Sequence, residues 1–170
     1  MNRICAALIA TFLSTSAFAA DAPAIAVPAG NTLALTVVGT GELAYECKAK
    51  AGMADAYEWV FTGPTAVLYD KGTKAVVGKY YAGPTWEAAD GSKVGGKQLA
   101  VSPSANAASI PLQLVQAGPA TGTGAMSGIT YIQRMNTMGG VAPADACGAA
   151  NAGAKKMVKY EADYLFYKKS

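Results

Sequence analysis

The chain has 170 residues, a formal net charge of +3, 52% hydrophobic and 15% charged residues, and no histidine. The missing histidine excludes Ser-His-Asp triads, Cys-His dyads, His-ligated haem and His-bound zinc or copper. Scattered charge at a sequence pI near 8.7 lacks the concentrated basic stripe of a nucleic-acid binder, so no nucleic-acid partner is expected.

Residues 1–19 read as a cleaved signal peptide. Met1-Asn2-Arg3 supplies the positive start, Ile4 to Ala10 with Phe12 and Leu13 an apolar run, and Ala17-Phe18-Ala19 a small-x-small cleavage site. No second apolar segment reaches transmembrane length, which gives an exported protein, periplasmic or released. Cleavage removes Cys5 and leaves Cys47 and Cys147 as one pair. An oxidising compartment favours their disulfide. A metal or redox pair is the alternative, weakened by the long separation and the lack of a CxxC.

Residues 20–31, rich in Ala and Pro, read as a flexible lead, and residues 32–170 as one all-β domain. Leu33 to Val38 is strand-like, broken or bulged by Gly39-Thr40-Gly41 before Leu43 to Lys48. Tyr57 to Phe61 is a strand that Gly63-Pro64 ends, and Ala66 to Tyr69 closes on the Asp70-Lys71-Gly72 turn. Ala75 to Tyr81 is interrupted by Gly83-Pro84, and Thr85 to Ala88 runs into Asp90-Gly91, a hairpin signal. Ile110 to Val115, Ile129 to Arg134 and Val158 to Tyr167 supply further strands. In the last, Tyr160, Ala162, Tyr164 and Phe166 share one parity. Gly95 to Ala108 and Gly118 to Gly128 read as mobile loops, and Ala142 to Lys156 can hold a short helical turn. The pattern predicts an antiparallel sandwich or barrel with long Gly/Ala-rich loops and one disulfide. Gly63-Pro64-Thr65 and Gly83-Pro84-Thr85 hint at a repeated hairpin corner.

Carboxylate, lysine, tyrosine and hydroxyl groups remain for chemistry, and no cofactor or metal is implied. Gly39-x-Gly41 and Gly122-x-Gly124 lack the dinucleotide fingerprint. Around residues 78–92, Tyr80 and Trp86 offer a stacking platform, and Glu87 and Asp90 are acceptors or weak acid/base candidates. Their bland alternatives are core for Trp86, an exposed strand position for Glu87 and a turn for Asp90-Gly91. Gln133, Arg134, Asn136 and Thr137 could bind a small anionic or polar ligand, because the guanidinium fork matches carboxylate and phosphate. Alternation places Ile132 and Arg134 on one face and Gln133 with Tyr131 on the other. The alternative use is an internal network that satisfies loop carbonyls near the disulfide. Tyr160, Tyr164 and Tyr167 could stack on a sugar, but a closing core strand is the commoner use.

These blocks, from Gly39-Thr40-Gly41 and Tyr45-Glu46-Cys47 through Tyr81-Ala82-Gly83-Pro84-Thr85-Trp86-Glu87 and Tyr131-Ile132-Gln133-Arg134 to Ala162-Asp163-Tyr164 and Phe166-Tyr167, resemble the secreted family called domain of unknown function 3455. The resemblance implies an exported single domain with paired cysteines and no established activity. A malate dehydrogenase label on some fungal relatives finds no nucleotide-binding motif here. The family pattern also carries a histidine where this chain has Tyr80, a glutamine near Leu43, and a tryptophan where it has Leu112. The expectation is therefore a non-catalytic binding module for a small polar or carbohydrate-like ligand. The alternatives are an envelope hydrolase using Glu87 or Asp90, and a structural or stress-related secreted protein.

Overall fold

A computed structural model describes residues 24–170; residues 1–19, read above as a signal peptide, lie outside them. Eight strands form an antiparallel meander: β1 (Asn31–Ala49), β2 (Tyr57–Asp70), β3 (Val76–Tyr81), β4 (Thr85–Ala88), β5 (Lys93–Ser102), β6 (Leu112–Ala117), β7 (Ile129–Gly139) and β8 (Lys155–Lys169). β8 returns to pair with β1, from Asn31↔Lys169 to Glu46↔Lys155, so the sheet is a closed barrel. Of the two expected architectures, the barrel is the one adopted. Pairing of β8 with β1 removes the two edges that the first and last strands of a meander would otherwise expose.

Alternation along each strand fills the interior. Tyr160, Ala162, Tyr164 and Phe166 of β8 are each no more than 3% exposed, beside Val37, Leu68 and Ile132 at 0%. Trp86 meets Tyr164 and Phe166 edge-on, with ring centroids 5.6 and 6.3 Å away. Each such side chain contributes on the order of 1.5–3 kcal/mol by leaving water. Outward positions carry Lys79, Glu87, Lys93 and Glu161, and the wall alternates as a half-solvated sheet requires.

Three expectations about the strands need correction. Gly39-Thr40-Gly41 does not break β1. A Cβ at Gly39 would sit 2.6 Å from the Tyr164 ring and one at Gly41 2.1 Å from the Thr65 carbonyl oxygen, so glycine lets β1 run close against its neighbours. Gly63-Pro64 does not end β2, which bulges there and continues. Pro64 is tolerated beside this bulge, where β3 has not yet begun to pair and β2 has β1 alone as a neighbour among the described residues. Gly95 to Ser102 is not a mobile loop but most of β5.

One end of the barrel holds the turns 71–75 and 89–92, the loop 118–128 and both strand termini. The 118–128 loop, expected to be mobile, is a plug with Met126 2% exposed. The Asp90 carboxylate accepts from the Ser92 amide (2.9 Å), the Ser92 hydroxyl (2.6 Å) and the Ala125 amide (2.7 Å). The Ser92 hydroxyl oxygen in turn accepts from the Met126 amide at 3.1 Å. Within the expected flexible lead, Ile25 is 5% exposed, and its carbonyl accepts a hydrogen bond from Gln133.

The opposite end carries the longer loops. Cys47 and Cys147 are disulfide-bonded, with Cα atoms 5.6 Å apart, tying β1 to the segment 140–154. That segment holds one 3-10 turn, Ala149–Asn151. The Trp59 indole donates to the Asp145 carbonyl at 2.9 Å and the Tyr45 hydroxyl to the Gly140 carbonyl at 2.7 Å. The loop 103–111 folds across toward β7, where the Ile110 amide donates to Gly139 and the Thr137 hydroxyl donates to the Ile110 carbonyl. These two segments cover the β6–β7–β8–β1 side of that end.

Candidate functional site: a cavity at one barrel end

Inward residues beneath the capped end enclose a cavity of about 330 Å³. Its walls are Tyr45 of β1, Phe61 of β2, Tyr80 of β3 and Trp86 of β4, with Pro64, Pro84 and Pro111 around the rim. Tyr80 stacks on Trp86 with centroids 4.6 Å apart and planes 18° from parallel. The cross-strand pairing Tyr80↔Trp86 fixes that stack in register. Polar groups enter from Gln98, Gln113 and Arg134. Gln113 donates to the Gln98 side-chain carbonyl. Phe61 is 50% exposed, so the cavity meets solvent on its β2 side.

Arg134 is the one charged group in the lining. Its Nε and Nη2 donate to the Pro111 carbonyl at 3.1 and 2.9 Å. Of the five N–H groups of a guanidinium, three are left without an acceptor among the described residues. Its charge reaches the hydroxyls of Tyr45, Tyr80, Tyr160 and Tyr164. Burial raises each of these above the ordinary tyrosine value, while the guanidinium pulls in the opposite direction. The Trp86 ring lines the cavity, while its Nε1 is sealed from solvent and has no hydrogen-bond partner among the described residues, a costly and rare condition for a buried N–H. The chemistry on offer is thus donors and aromatic faces, with no carboxylate.

The structure unites only some of the residues singled out from sequence. Tyr80, Trp86 and Arg134 share the cavity. Thr137 is buried behind it, holding the 103–111 loop through Ile110 and Ser104. Glu87 lies on the outer wall, where it accepts from the Tyr81 hydroxyl at 2.8 Å and pairs with Lys79 and Lys93 at 3.3 and 3.2 Å. The Tyr81 hydrogen bond is foremost in holding its carboxyl below the ordinary value. Asp90 sits at the plugged end, its carboxyl likewise lowered, first by the Ser92 hydroxyl. Gln133 faces outward between Ile25 and Tyr167. Asn136, at φ 47° in a bulge of β7, donates to Asp163, which also pairs with Lys71. Tyr160 and Tyr164 are core, their hydroxyls 3.2 Å apart. Among the described residues no group of three or more acidic, Cys or His side chains is placed to hold a metal.

Sequence reasoning missed Tyr45, Phe61, Gln98 and Gln113. Gln113 was legible in principle, because it shares the parity of buried Val115 on β6. Gly63-Pro64 and Gly83-Pro84, noted as a repeat, are not equivalent corners. One is a mid-strand bulge and the other a turn, yet both line the cavity.

Comparison with known proteins is decisive for the family and silent on activity. A family model described as a protein of unknown function, DUF3455, matches residues 28–168. The chain belongs to this family. No curated protein and no solved structure matches it. As a DUF3455 protein it has the paired cysteines expected from the resemblance. Leu43 and Tyr80, at or near two departures from the family pattern noted above, both line the cavity. No helix among the described residues is long and apolar enough to cross a membrane, and the disulfide fits export.

Proposed function

We propose that this DUF3455 protein is an exported, non-catalytic binding module, periplasmic or released, whose barrel cavity takes a small polar or carbohydrate-like ligand. A carboxylate, phosphate or other acceptor group sits at Arg134, and the body of the ligand lies against the Tyr80–Trp86 stack. The observation that carries this reading is the donor surplus of Arg134, which among the described residues has the Pro111 carbonyl as its single acceptor, in a pocket walled by aromatic rings. Convergent polar groups in an apolar concavity are the usual make-up of a small-molecule site. Arg–carboxylate and Arg–phosphate pairs are among the stronger hydrogen-bonded contacts available to it.

The hydrolase alternative needs paired carboxyls flanking one bond. Glu87 is on the outer wall and Asp90 at the plugged end, so neither supports chemistry in the cavity. Native mass spectrometry of protein exported to a periplasm and purified without added ligand tests the proposal. The expected result is a reproducible extra mass, released on denaturation and diminished in Arg134→Gln. A bare chain mass for both proteins counts against it.

A further inference from the structure

The barrel wall around the cavity is incomplete, and the gap has the chemistry of a strand. β3 and β4 are short. They pair with β2 only along Thr65–Tyr69 and with β5 only along Lys93–Gly95. Above them, among the described residues, 57–64 of β2 pair with β1 alone and 96–102 of β5 with β6 alone. Two free strand edges therefore face each other across the Gly83-Pro84 turn. Two strand positions are vacant between them, so at about 4.8 Å per strand the edges stand roughly 14 Å apart. The window opens into the cavity, since Phe61 and Pro64 from one edge, Pro84 from the sill and Gln98 from the other edge all line it. The loops 103–111 and 140–154 cap the other side of that end and leave this one open.

An unpaired edge presents alternating N–H and C=O groups that an extended polypeptide satisfies and a small molecule does not. Charge narrows the partner further. Lys97 lies on the β5 edge and Arg134 inside, Glu58 on the β2 edge is paired with Lys50 at 3.7 Å, and among the described residues no carboxylate lines the cavity. Val101 pairs with Gln113, and Gln113 with Arg134, so the guanidinium lies on the cross-barrel row that meets the window at Val101. Leu99 and Val101 on this edge are 48% and 46% exposed.

We propose that the small polar group taken by the cavity is the carboxylate side chain of an acidic extended peptide, which adds as a strand to the free β5 edge, 96–102, and turns that carboxylate inward to Arg134. This rests on the cavity being a binding site, and it names the occupant.

The test is selection from a displayed library of random heptapeptides, followed by hydrogen exchange on the full mature protein with one selected peptide. Phenylacetate serves as a small-carboxylate control. The expected result is enrichment of Asp or Glu at one position and slowed exchange confined to 96–102. Replacing that acid by its amide, or Arg134 by Gln, is expected to weaken binding at least tenfold. Phenylacetate binding with no peptide enrichment overturns the peptide inference and leaves the cavity reading standing. Failure of both overturns the peptide inference, and the native mass measurement then decides the cavity reading on its own. Protection of 96–102 that tracks protein concentration without peptide, with a dimer by light scattering, overturns it in favour of a second copy.

Discussion

Breaking the Cys47–Cys147 bond removes a cross-link that spans 100 residues. Its main effect falls on the unfolded chain, which regains the freedom of a long loop. For a loop of this length the chain-entropy account gives about 4.7 kcal/mol. That is a large share of the 5–15 kcal/mol typical of a folded domain. The native side changes less. The backbone around Cys47 stays bonded to the loop through Cys47 N–H to Ala154 (2.9 Å) and Gly153 N–H to Cys47 (2.8 Å). A Cys47→Ala, Cys147→Ala double variant should therefore fold, with its urea midpoint lowered by about 2 M for a slope near 2 kcal/mol/M. Urea titration followed by tryptophan fluorescence and far-UV circular dichroism reads this directly. The slope should rise slightly, because the unlinked chain exposes more surface when unfolded. A midpoint shift below about 0.5 M would refute the reasoning, since the cross-link would then constrain nothing that the fold does not already hold.

Leu68→Ala, at a position 0% exposed in the core, should lower the unfolding free energy by about 2–5 kcal/mol in the same assay. Asp90→Ala should release the plug: hydrogen exchange at the Ala125 and Met126 amides accelerates while that of β8 does not change, because Asp90 and Ser92 hold those amides. Alkaline unfolding should be cooperative. Burial lifts the hydroxyls of Tyr80, Tyr160 (to about 12) and Tyr164 above the ordinary value near 10. The unfolded chain then loses these protons first, so their contribution is whole below pH 10 and declines as the pH rises above it. The part of the tyrosinate absorbance that belongs to these three of the nine tyrosines should therefore appear as a step at the unfolding transition.

The all-β class and most strands could be read because alternation is local. Tyr160, Ala162, Tyr164 and Phe166 announce the buried face of β8 without knowledge of their neighbours. The same rule placed Ile132 and Arg134 together, and the structure has Ile132 in the core and Arg134 in the cavity. β5 escaped because Gly95-Gly96-Lys97-Gln98 has no apolar alternation, and the register shift between Gln98 and Ala100 reverses its parity. Gly39 and Gly41 looked like a break because close approach to Tyr164 and Thr65 is a property of three strands, not of one segment. The site was half legible. A Trp86-Glu87 dipeptide looks like one cluster, but successive strand residues face opposite sides of the wall. That geometry sends Trp86 to the cavity and Glu87 to the outer lysines. Phe61 and Gln98 join the cavity only through the gap between β2 and β5, which follows from the shortness of β3 and β4.

The central claim is that the cavity beside Arg134 receives an acceptor-bearing ligand, and the two tryptophans give it a direct reporter. Trp59 Nε1 donates to Asp145 away from the cavity, whereas the Trp86 ring lines the cavity and stacks on Tyr80. In a proton–nitrogen correlation spectrum the two indole resonances can be followed during titration with phenylacetate, inorganic phosphate or a selected acidic peptide. The account predicts that at least one of these shifts the Trp86 resonance, leaves Trp59 in place, and loses that effect in Arg134→Gln. A Trp86 resonance unmoved by all three, or moved equally in the variant, would contradict it.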